Sequence, residues 1–236
     1  MTRAWRIAAL MTIAALALPG CQQPETTWHT IASPGEAMMG HPNTHAAAGA
    51  WTIKYLGLSD PDWNDEKLYT MMRLHMGKPE CPTCPLIVFW DVLGGIWDYL
   101  QVNDHPEVKV TEFVAHSKHE DETADFEDYV AAIDSDHPVI LTWCYDKRAA
   151  DPALATKRAA DCFSTVGIGY VRQGDTGYVI CHHGLTAPLN KDLDAKDRVG
   201  PQAAGLEGQS GPWDQPGAAI YRWDGDYQNL VLVFVK

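Results

Sequence analysis

Apolar and β-branched residues crowd the stretch from Phe163 to Gly184, FSTVGIGYVRQGDTGYVICHHG, in two runs joined by Arg-Gln-Gly-Asp-Thr-Gly. Such side chains favour extended backbone, while Gly174 and Gly177 supply turn conformations that other residues resist, so the pattern predicts a β-hairpin. Pro138 to Trp143, PVILTW, reads as a further strand, and Val108 to Val114 alternates like a short one. Near the C-terminus AIYRWDG and NLVLVFVK predict two strands joined by an Asp-Gly-Asp turn.

Helical spacing appears earlier in the chain. Thr44 to Gly57 predicts a helix with Ala47, Trp51, Ile53 and Tyr55 available for burial, Asn43 or Thr44 as its cap and Gly57 as its stop. Asp65 to Met76 predicts a second, with acids in its first turn. Pro85 to Leu100 has helical length, but Gly94 and Gly95 predict a break within it. Phe126 to Ile133 predicts one more helix before PVILTW. Thr186 to Pro216 is dense in Gly, Pro, Asp and Gln and reads as a long surface loop. Helices first and strands later, with no internal repeat, predict one α+β domain built on an antiparallel sheet.

The N-terminus has its own pattern. Arg3 and Arg6 precede the apolar run Ile7 to Leu18, a signal-peptide arrangement too short to span a bilayer. Leu18-Pro19-Gly20-Cys21 then resembles a bacterial lipobox, which predicts a lipoprotein signal over residues 1–20 and acylation of Cys21. Residues 21–43 read as a tether, within which Trp28 and Ile31 can add a short strand, and residues 44–236 as the domain. The expected address is the bacterial envelope, lipid-anchored to a membrane, the outer one in a diderm cell. Removing Arg3 and Arg6 from 18 basic residues leaves 16 against 31 acidic ones, a balance of −15. That surface disfavours nucleic acid and anionic headgroups, so the membrane attachment rests on the lipid.

Five cysteines follow Cys21, and disulfides are expected outside the cytoplasm. Cys144 ends one predicted strand and Cys162 opens the next, so these two are the preferred pair, while Cys81, Cys84 and Cys181 stay unassigned. Cys81-Pro-Thr-Cys84 lacks a second CxxC to complete a zinc site. His41, His45, His182 and His183 have no spacing that demands a metal. No metal and no cofactor is expected.

Several segments together carry a family resemblance. Thr44-His45-Ala46-Ala47-Ala48 opens a small-residue helix ending in Tyr55-Leu56-Gly57; Ala132 to Leu141 reads AIDSDHPVIL; Asp161 to Tyr170 and Gly177 to Gly184 follow. Their order and spacing resemble the papain-like cysteine peptidases that process bacteriocins after double-glycine leaders, and above all their extracytoplasmic relatives. The resemblance implies a papain-like fold, with a nucleophilic Cys where this chain has Thr44, a catalytic His where it has Phe163, and an orienting Asp or Asn where it has His183. A Phe cannot take a proton, and a Thr hydroxyl without a base is a poor nucleophile, so the aligned positions do not support thiol catalysis. The expectation is a peptidase-like domain that binds a peptide or protein partner. Two alternatives stand beside it: an active cysteine peptidase using Cys84 with His182 or His183, and a structural envelope lipoprotein of unrelated fold.

Overall fold

The computed structural model describes residues 25–31, 44–76, 89–117, 121–146, 160–182, 197–227 and 229–236. The α+β expectation is met, among the described residues, by four helices and one antiparallel sheet of eight strands. In chain order the elements are β1 (Thr26–Thr30), α1 (Thr44–Tyr55), α2 (Asp65–His75), α3 (Phe89–Val102), β2 (Val110–Ser117) and α4 (Phe126–Asp134). Then come β3 (Val139–Asp146), β4 (Ala160–Gln173), β5 (Thr176–His182), β6 (Arg198–Val199), β7 (Ala218–Arg222) and β8 (Asn229–Val235). Across the sheet the order is β2, β8, β3, β4, β5, β7, β6.

The predicted hairpin is the pair β4 and β5, and β4 is its longer arm. Its first half pairs with β3, from Val139 opposite Gly167 to Asp146 opposite Ala160. Its second half pairs with β1, from Thr30 opposite Gly169 to Thr26 opposite Gln173. One strand therefore ties the start of the described chain to the centre of the sheet.

Alternation along the strands splits the side chains between two faces. On one face lie Thr142, Ser164, Val166 and His182, and α1 packs here, with α2 and α3 beside it. The short 3-10 segments Pro201–Ala204 and Pro212–Asp214 reach the same face nearer the β4–β5 turn: Tyr178 donates to the Ala203 carbonyl at 3.1 Å, and Trp213 meets Trp28 edge-on at 5.2 Å. On the other face lie Leu141, Trp143, Phe163, Thr165, Gly167 and Tyr221. There α4 packs with Phe126 against Gly177, where a Cβ would come within 2.8 Å of the ring. Tyr129, wholly buried, donates to the Gly169 carbonyl at 2.7 Å, and burial pushes its phenol up so that it stays a donor. Asp125 caps α4 by accepting from Glu127 N and Asp128 N, and the Asp128 carboxylate returns a bond to Asp125 N.

Several details depart from the pattern of the sequence. α3 runs unbroken through Gly94 and Gly95. Gly95 is there for contact, since a Cβ would lie 2.4 Å from Met76 Cγ, where α2 and α3 cross. The two C-terminal strands do not form a hairpin: β8 sits between β2 and β3, while β7 lies beyond β5. The short strand expected at Trp28 within the stretch read as a tether is β1, and it joins the sheet through β4. From Arg198 onward the Gly- and Pro-rich loop carries β6 and the 3-10 segments Pro201–Ala204 and Pro212–Asp214.

Candidate functional site

Thr44 and His45 open α1 and are almost wholly buried, at 4% and 3% exposure. The helix brings them against the centre of the sheet because its small residues, Ala46 to Ala50, allow close approach. His45 Nδ1 lies 2.7 Å from Ser164 Oγ, and Ser164 Oγ lies 2.8 Å from Thr142 Oγ1. The backbone N–H of Ser164 donates to Thr44 Oγ1 at 3.2 Å. Three hydroxyls and an imidazole thus form one hydrogen-bonded network joining α1, β3 and β4. Its donors run from His45 toward Thr142 or the reverse, according to which ring nitrogen carries the proton.

A Ser–His contact of this length invites comparison with a nucleophile and its base. Two features argue against that role. Ser164 is 1% exposed and its oxygen is shared with Thr142. Its N–H, a group that could otherwise stabilise an oxyanion, is taken by Thr44. Ser164 Oγ is thus held between His45 and Thr142 inside the fold, which suits rigidity rather than turnover.

The positions singled out in the sequence separate as follows. Thr44 stands where the resemblance places the nucleophile, at the start of the helix. The strand residue that meets it is Ser164 and not Phe163: the Phe163 side chain leaves the opposite face of β4, with its ring centroid 6.3 Å from that of Tyr221. A shift of one residue along a strand exchanges the faces, so Phe163 lies on the side of the sheet opposite α1. His182 ends β5 on the α1 face, 3% exposed, stacked on Trp51 at 6.3 Å. Burial lowers its pKa, against a smaller opposing effect of the hydrogen bond its ring donates to the Pro216 carbonyl. Cys144 and Cys162 face each other across β3 and β4 and form the predicted disulfide, with Cα atoms 4.2 Å apart. Cys181 is a buried thiol. Cys21, His41, Cys81, Cys84 and His183 lie outside the described residues. Among the described residues no group of three His, Cys, Asp or Glu gathers as metal ligands, and no helix is long and apolar enough to cross a membrane.

Ser164 left a trace in the sequence: Thr142, Ser164 and Thr165 are polar interruptions of otherwise apolar strands, and buried hydroxyls need partners. Thr165 finds its own on the other face, accepting from Trp143 Nε1 at 2.9 Å.

Toward β6 and β7 the sheet carries a cleft of about 390 Å³, lined by Arg198, Gly200, Pro201, Trp213, Ala218 and Ile220 among others. Ala218 pairs across the strands with His182, so the cleft adjoins the buried imidazole. Its outer wall is β6, two residues long and the edge of the sheet among the described residues. Arg198 on that edge reaches back with Nη2 to the Ala218 carbonyl, 3.5 Å away. No family model matches the chain, and no curated protein matches it.

Proposed function

We propose that the chain is a membrane-anchored envelope lipoprotein whose papain-like, peptidase-related domain binds an extended peptide instead of cutting one. The observation that carries this reading is the buried hydrogen-bonded network of Thr44, His45, Ser164 and Thr142 at the start of α1. A thiol peptidase needs at that place a thiolate and an imidazole open to the substrate. Here Ser164 Oγ and the Nδ1 of a buried imidazole face one another inside the fold, with Thr142 on the same oxygen. Binding is assigned to the neighbouring cleft, where Ala218 and Ile220 give an apolar floor and the short β6 edge gives backbone groups for strand addition. Acylation of Cys21 holds the domain at the membrane, and nucleic acid is not a partner.

The test is selection from a phage-displayed library of random dodecapeptides on the full-length protein, followed by mass spectrometry of each bound peptide. Selected peptides should stay intact, and Ala218→Trp, which fills the cleft, should weaken them at least tenfold. Peptide hydrolysis lost in Cys84→Ala would replace this reading with a working cysteine peptidase. Binding unchanged in Ala218→Trp would remove the cleft as the site.

A further inference from the structure

Glu25 already belongs to the folded body, since its carbonyl accepts from Gly174 N, at 3.3 Å, in the turn between β4 and β5. Thr26 pairs with Gln173, the last residue of β4. Only Gln22, Gln23 and Pro24 separate Glu25 from Cys21. A chain spans at most ~3.5 Å per residue, so the Cys21 and Glu25 Cα atoms lie within about 14 Å of each other in any conformation. An acyl group on Cys21 has no room to let the domain stand off or turn over.

We infer that the β4–β5 turn end of the domain is a membrane-docking surface, held against a lipid bilayer by acylated Cys21, with the His45–Ser164 network at the far end. This rests on the lipid-anchor reading above. Ser164 precedes Gln173 on β4 by at most about 30 Å at ~3.3 Å per residue, so the network and the disulfide lie toward the end of the strand away from the bilayer. The docking surface includes Gly174 and Asp175 of the turn and Gly205, which abuts Thr26 and Gln173. Its arginines are matched by acids: Arg172 holds Glu127 at 2.7 Å, and Arg222 Nε lies 3.3 Å from Asp224. Glu25 and Asp175 add further negative charge. Attraction to anionic headgroups therefore contributes nothing, and the contact is imposed by the short link, so it is insensitive to salt and to the fraction of anionic lipid.

The test uses lipidated full-length protein on phosphatidylethanolamine–phosphatidylglycerol vesicles carrying an energy acceptor on the headgroups. A donor dye is attached through a genetically encoded azide at Asp175, or in a second preparation at Ser117. Ser117 ends β2 and pairs with Asn229, Asn229 pairs with Cys144, and Cys144 faces Cys162 at the end of β4 away from the turn. Transfer should be several-fold stronger from position 175, unchanged by added salt, and should fall toward that of position 117 when a flexible Gly-Ser segment is inserted after Gln23. Equal or reversed transfer in a protein that still floats with vesicles overturns the orientation and leaves the anchor standing. Flotation unchanged in Cys21→Ala overturns the anchor, and the docking surface with it.

Discussion

Trp143 on β3 and Tyr221 on β7 lie with ring centroids 5.1 Å apart, although β4 and β5 run between their strands. On a flat sheet three strand spacings would separate them by about 14 Å. The sheet is therefore strongly curved, and Trp143 sits at the focus of its concave face, with Tyr227 at 5.3 Å and Thr165 bonded to its indole N–H. The same curvature explains how the short connection after Arg222 returns the chain to β8.

Trp143→Ala should accordingly cost about 3–5 kcal/mol, at the upper end for a core aromatic, because the curved walls cannot collapse onto the space left. Urea unfolding followed by far-UV circular dichroism measures it. A loss under 1 kcal/mol, roughly that of a surface substitution, would contradict the enclosed position.

The Cys144–Cys162 bridge closes a loop between residues 18 apart in sequence. In the chain-entropy account such a loop corresponds to about 3 kcal/mol of stability. Cys144→Ala combined with Cys162→Ala should lose that amount, and dithiothreitol should then have no further effect through this pair. Peptide mapping that joins either cysteine to Cys81 or Cys84 would contradict the pairing.

Ser164→Ala removes the shared member of the polar network and strands the buried polar groups of His45 and Thr142 that face it, a cost of about 1–3 kcal/mol. Thr142→Val in the same background should cost less than it does alone, because the partner has gone. A double-mutant cycle reads this coupling, and strict additivity would show that the groups do not act together.

His182 supplies a pH dependence. Its folded pKa is lowered by burial from an ordinary value of about 6.5. Just below that pH the unfolded chain takes up a proton that the folded chain refuses, so stability falls as the medium is acidified and levels off below the folded pKa. His182→Phe keeps a ring over Trp51 and should flatten this part of the profile between about pH 7 and pH 5. Urea midpoints at both ends measure it; parallel profiles for the two proteins would locate the effect elsewhere.

Local chemistry made much of the architecture readable. Asn64 and Asp125 cap α2 and α4 through their own side chains, and β-branched runs bounded by Gly174 and Asp175 can hardly be anything but a hairpin. The facing of Cys144 and Cys162 followed from strand ends alone. The candidate site was less readable, because its register hung on one residue: Phe163 and Ser164 are neighbours in sequence but belong to opposite faces.

Composition and pattern therefore determined the described helices and most of the strands, that the sheet is antiparallel, and that Cys144 bridges Cys162, since each depends on residues close in sequence or on paired strand ends. Tertiary packing alone decided that α3 continues through Gly95 against Met76, that β7 and β8 lie on either side of the central strands, and that Ser164 meets His45 across a separation of 119 residues. Those outcomes depend on the curvature of the sheet and on which face each side chain takes, properties that exist only once distant strands have paired.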